Sequence, residues 1–350
     1  MPPKTGATTR SLPDCINATT RSVHTKLNKL VTSRLRLALP PHADDASQYV
    51  SGLLHITPIY MVFESTWRTI LEPQDSLNTP NCHEEGLDYA ACNPDGPSLD
   101  NLPDTCRRPV ASSRIQSLLA SLYFQKLERS QALQNDLASL TFWSARTLKE
   151  KLNHAMESPI LGEFLAHIRE SVQTSPHKLL AYSWVLYMAL FSGGRFIRDS
   201  LEEIYPAFWV PASAQKPIPA TLAKATVTEG QPLNFFQFDT PEDGEDLKSE
   251  FKKRLLDEED VLTKLERDEI IEEACYIFDY MIRLVSELDD ICGTDKDAAK
   301  SRLLGLRSRD SLVVENERRQ NLAEKSRKAT TKADSNRDPK ASGEGHVKFS

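Results

Sequence analysis

With 350 residues, 39% of them hydrophobic and 27% charged, the chain has the length for one large or two small globular domains and an ordinary folded composition. Its net charge of −7 is uneven: residues 295–350 carry 14 Lys/Arg against 9 Asp/Glu, which leaves −12 on residues 1–294. An acidic body argues against a nucleic-acid groove, which needs clustered Lys/Arg on the folded surface, while a basic tail suits acidic partners. The N-terminal MPPKTGATTR is basic but leads into no apolar stretch, so no secretory signal is read. The longest apolar run, Leu186–Phe191 with its neighbours from Leu179, is shorter than the roughly 20 residues that span a bilayer. The expectation is a soluble, cytoplasmic protein with no transmembrane anchor. Six cysteines (15, 82, 92, 106, 275 and 292) lack CxxC spacing, which argues against zinc and for free thiols in a reducing compartment.

In chain order, residues 1–10 are expected to be flexible, and Ser11-Leu12-Pro13-Asp14 announces a helix start. Ile16, Val23, Leu27 and Leu30 then recur on one stripe. A second helix is predicted from Ala46 to about Leu71, with Pro58 as a potential kink. Residues 73–112 hold six prolines among Asn, Asp and Gly and read as a long inserted loop. Helical patterns resume at Arg114–Lys126, Gln131–Trp143, Ala145–Asn153 and Ser158–Thr174, and 178–205 is the most apolar helix. A Pro-rich connection and the segment PLNFFQFD precede a last pair, Asp246–Asp257 and Thr263–Cys292. Residues 294–350 are charged, poor in large apolar groups and expected to be largely disordered. Period-two alternation is scarce, so the fold class is all-α, a single multi-helical domain over 11–293.

Two features could carry chemistry. His24 lies one residue round from Val23 beside the apolar stripe, a place for a boundary histidine as much as for a ligand. Gly193 and Gly194 sit within a helical pattern, where two glycines cost about 2 kcal/mol relative to alanine. Close helix packing, a glycine turn between two helices, or a flat ligand against bare backbone would each account for them. Ser192 can bond back to the preceding turn and assist a bend.

The colinear set resembles the heme oxygenase family. It comprises Val23-His24-Thr25, a helix ending Tyr60-Met61-Val62-Phe63-Glu64, LQNDLASLTFW (133–143), LGEFLAHIRE (161–170), Ser192-Gly193-Gly194, PLNFFQFD (232–239), FKKRLL (251–256) and IIEEACYIFDYMIRLVSEL (270–288). The resemblance runs from about residue 12 to 292. It implies a heme oxygenase-like domain with heme, cofactor and substrate at once, sandwiched between a proximal and a distal helix. His24 would bind the iron; Ser192, Gly193 and Gly194 would form the distal face; Arg21 and Lys252 would reach the propionates, and Trp184 takes the place of a tyrosine near one of them. The implied reaction uses dioxygen and an external electron donor, such as an NADPH-dependent reductase, and yields biliverdin, carbon monoxide and ferrous iron.

Departures from the family pattern accompany the matches. The aspartate expected two residues before Ser192, which anchors waters above the iron, is Leu190; the glycine before it is Ala189, and a second propionate-side arginine is Leu256. Leucine holds no water. Two further readings therefore stand beside the enzyme: a heme carrier or sensor that does not degrade its ligand, favoured by Leu190, and a purely structural helical protein with a closed pocket, favoured by Ala189 and Trp184.

Overall fold

The computed structural model describes residues 10–72, 111–211 and 231–294. Among them it contains helices and turns and no strand. The expectations for 1–9, for most of the 73–112 loop, for the tail beyond 294 and for Cys82, Cys92 and Cys106 lie outside the described residues.

Helix α1 is Leu12–Leu37, begun by the Ser11 hydroxyl, which accepts from the Asp14 N–H, and by proline in its first turn. It lies along α9, Lys264–Ile291, and is latched near both ends. The Leu12 N–H donates to Glu259 at 2.6 Å, and near the other end Arg34 forks onto the buried carboxylate of Asp289 (2.7 and 3.0 Å). Such two-pronged pairing fixes the register of one helix on the other. Helix α9 opens with a full capping box between Thr263 and Glu266, as S/T-x-x-E sequences do.

Helix α2, Ser47–Leu71, runs on through Pro58 and is buried over most of its surface, because α4 (Ser130–Thr141), α5 (Ala145–Met156) and α6 (Pro159–Thr174) pack around it. Phe63 of α2 and Phe164 of α6 both stack on the fully buried Tyr182, at ring separations of 6.3 and 6.5 Å. Helix α3, Ser113–Ser121, is shorter than its pattern predicts, which runs to Lys126. The aromatic pair that follows is drawn to different neighbours, Tyr123 to Trp67 and the Glu128 carboxylate, Phe124 to Phe251, and the backbone extends at Phe124 to let it.

The apolar segment after α6 forms one run, here α7, made of Leu179–Tyr182, a π-helical turn at Ser183–Tyr187, a second at Leu190–Gly194, and Arg195–Glu202. Glycine does not interrupt it: Gly194 is helical (φ −61°, ψ −40°), so a glycine turn between two helices is not what this sequence builds. Helix α8, Glu245–Glu258, starts from Gly244 at φ +84°. A Cβ there would stand 2.7 Å from the Phe238 ring and 2.8 Å from Phe191, so glycine is required by both backbone and packing. No helix among the described residues is long and apolar enough to cross a membrane.

Candidate functional site

Helices α1 and α7 meet over a small apolar floor of Leu27, Phe278 and Val285, against which Val23 of α1 and Val185 of α7 both pack. His24 stands at the edge of this floor, half-buried, with its ring edge-on to Phe278 at 5.6 Å. Its Nε2 lies 3.2 Å from the amide nitrogen of Asn28, one turn along the same helix on its exposed face. The imidazole is thus oriented by a side chain that is itself free to swing toward solvent.

The α7 wall differs in kind. The first turns of α7 are deeply buried, while Ala189, Ser192, Phe196, Asp199 and Glu202 are exposed, at spacings of three and four residues that place them on one strip. Gly193 borders that strip, and a Cβ built on it would meet nothing within 4 Å, whereas one on the buried Gly194 would lie 3.4 Å from the Ala189 carbonyl and the Leu190 side chain. The two adjacent glycines therefore do different things: Gly193 leaves bare backbone facing open space, and Gly194 lets the helix close on itself. The Ser192 hydroxyl donates back to the Met188 and Ala189 carbonyls (3.3 and 3.4 Å), the local bond expected beside a widened turn. Bare backbone on one wall, an imidazole on the other and an apolar floor between them fit a flat ligand that carries a metal.

Lys252 stands where α7 meets α1. Trp184 is buried and donates from its indole nitrogen to Asn17 at 3.1 Å, and the Lys252 ammonium lies 5.9 Å from the indole ring. Arg21 is exposed one turn beyond Asn17 on α1. The structure therefore brings Trp184 and Lys252 together, with Arg21 on the adjoining helix, and leaves Leu256 51% exposed on α8. Leu190, where a carboxylate was expected, is 5% exposed and belongs to the main core.

Behind α7 lie residues whose roles the sequence did not reveal. Tyr60 of α2 donates to the Leu186 carbonyl at 3.0 Å, inside the first π turn, and its ring meets Phe235 edge-on at 5.4 Å. Phe235 is held by the fully buried Asp136 of α4, whose carboxylate accepts from the backbone N–H groups of Asn234 (2.9 Å) and Phe235 (2.8 Å). Glu64, equally buried, accepts from the N–H groups of Arg129 (2.7 Å) and Ser130 (3.1 Å) at the start of α4 and from the Tyr187 hydroxyl (3.3 Å). Burial raises the pKa of both carboxyls, with these hydrogen bonds opposing it. Glu64, Asp136 and the PLNFFQFD segment were visible as motifs; that they brace one another behind α7 depends on contacts across 65 to 126 residues of chain.

The chain has relatives in sequence and in fold. A family model described as heme oxygenase matches residues 109–287. The chain is 31% identical over 194 residues to the heme-binding protein HMX1 of Saccharomyces cerevisiae, covering 52% of this chain and 57% of that protein. It is 28% identical over 220 residues to heme oxygenase 1 of Homo sapiens, covering 62% and 67%. In fold it is similar to the heme oxygenase 2 structure from Chlamydomonas reinhardtii, with a TM-score of 0.54 at 16% identity over 79% of this chain and 97% of that one.

Proposed function

The chain belongs to the heme oxygenase family, and on that premise we propose that it binds heme between α1 and α7 and, given dioxygen and an external electron donor, opens the ring to biliverdin, carbon monoxide and ferrous iron. The observation that carries this reading is the pair of walls over the Leu27–Phe278–Val285 floor: a half-buried imidazole on α1 and Cβ-free backbone at Gly193 on α7. Heme, as the substrate, supplies its own redox-active iron and the carbon that is oxidised.

The protein's residues bind and orient. His24 offers Nε2 as the metal ligand once Asn28 releases it. Arg21 and Lys252 offer cations for two carboxylates, fixing the rotation of the ring. Gly193, with the small side chains of Ala189 and Ser192, allows a flat surface to lie close to the α7 backbone.

A second reading, heme held without turnover, is favoured by Leu190. It lies in the core and offers no water anchor, while Ser183 and Ser192 both donate to carbonyls of their own helix.

Titration with hemin separates these readings. A Soret band with a histidine-ligand signature is expected for the wild type and is expected to be lost in His24→Ala; its survival would sink the ligand assignment. Adding a reductase with NADPH, under catalase, should convert the band to a bile pigment if the enzyme reading holds. A stable reduced or oxygenated spectrum instead identifies a carrier. Leu190→Asp should raise pigment yield per bound heme, and an unchanged yield would mean that the missing carboxylate does not limit the reaction.

A further inference from the structure

Helix α7 carries one large apolar side chain that neither the core nor the proposed heme contacts account for. Its other aromatic residues before the last turns, Tyr182, Trp184, Tyr187 and Phe191, are buried, whereas Phe196 is 46% exposed. A single exposed phenyl ring is common on protein surfaces; what sets this one apart is its place. Val185 packs on the apolar floor shared with α1, and Ala189, Ser192 and Phe196 follow it at steps of four, three and four residues. Gly193, whose Cα faces open space, comes one turn before Phe196. The ring therefore stands at the far end of the strip against which a flat ligand would lie.

The two ends of that strip differ in charge. At the Trp184 end stands Lys252, its ammonium 5.9 Å from the indole ring. Phe196 lies further along α7, a rise of about 18 Å at the ordinary helical pitch. Beyond it the strip continues with the exposed Asp199 and Glu202. The cations nearby are already matched: Arg198 pairs with Glu202 at 2.7 Å and also with Asp243, and Arg195 pairs with Glu245 at 3.1 Å. A carboxylate placed at this end would lose water against a phenyl ring and meet like charge.

Resting on the heme reading, we propose that Phe196 is a specificity-determining residue: it packs on the carboxylate-free edge of the tetrapyrrole, so that the cleft selects porphyrins with acidic side chains on one edge only. Hemin has two propionates on one edge and vinyl and methyl groups on the other, and it fits. Iron coproporphyrin III, in which propionates replace the two vinyl groups, does not.

The test compares these two compounds in equilibrium titrations of the full chain, followed by the Soret band and by quenching of tryptophan fluorescence. The wild type is expected to bind hemin about tenfold more tightly or better. Phe196→Ala, an exposed change, should weaken hemin about fivefold, as for part of a phenyl ring no longer removed from water, and leave iron coproporphyrin III within about twofold. Phe196→Lys should bring the two affinities together by strengthening the tetra-acid. Lys252→Ala, at the other end, should weaken both alike, because both keep that pair of propionates. A wild type without preference, or a ratio unchanged in both Phe196 variants, would overturn the proposal and leave the heme reading in place. Absence of hemin binding would overturn both.

Discussion

The two walls of the proposed heme cleft are built on opposite principles. Helix α1 is regular over 26 residues, capped at its start, latched near one end to α9 and near the other to Glu259 ahead of α9, and polar on its outer face. Helix α7 is buried, departs twice into π-helical turns and depends on α2 for support through Tyr60. The first wall holds one residue, His24, at a set height on a straight rod. The second shapes a surface, and its form is decided by what packs behind it. A ligand atom needs a rigid mount; a flat ring needs backbone brought close, and π turns are a means of shifting a helix face locally.

The largest expected effect is on the α7 wall. Leu190→Asp places a carboxylate at a site 5% exposed, and we expect a loss of about 3 kcal/mol at neutral pH in urea denaturation. Burial would raise the folded-state pKa of the new group above its unfolded value. The penalty is therefore full above the folded pKa and shrinks as pH falls toward about 4. A pH-independent loss would mean that shape rather than charge is at fault. Tyr60→Phe removes the donor to the Leu186 carbonyl and should cost about 1 kcal/mol. Amide hydrogen exchange should rise in 183–194 but not in α1, and an equal rise in both would deny that α7 alone leans on α2.

Gly193→Ala separates fold from site. Its Cβ enters open space in a helical run, so stability should rise by up to about 1 kcal/mol while hemin affinity falls. Unchanged affinity would remove Gly193 from the heme surface.

The smallest effect concerns the α1 wall through its support, α9. The Arg114 guanidinium, ahead of the Thr263 cap contacts, pulls the Glu266 carboxyl down to about 2. A lowered carboxyl contributes stability that is complete above its unfolded pKa, near 4.5, and is lost as pH falls through about 2. Arg114→Met should therefore lower neutral stability by about 0.5–1 kcal/mol and leave stability below pH 2 nearly unchanged, which flattens the acid limb between those values. A parallel drop at all pH values would show that the arginine acts by packing.

How much was legible in the sequence follows the range of the forces involved. Helix starts at Ser11, Ser144 and Thr263 were readable because a cap and its orphan N–H groups lie within four residues. The stripe of α1, the candidate ligand His24 and the cost of the glycine pair were readable for the same reason. The early end of α3 was not, because Tyr123 and Phe124 answer to Trp67 and Phe251, far away in the chain. Nor could spacing separate the two glycines. Only the packed structure shows that Gly193 faces open space while Gly194 lies against Leu190, that Leu190 has been taken into the core, and that Asp136 and Glu64 brace the segments behind α7. Sequence by itself determined where helices form and which residues are candidates, since those depend on local hydrogen bonds and periodicity. Tertiary structure decided which of them share a cleft, since burial and long-range contacts exist only once the helices have packed.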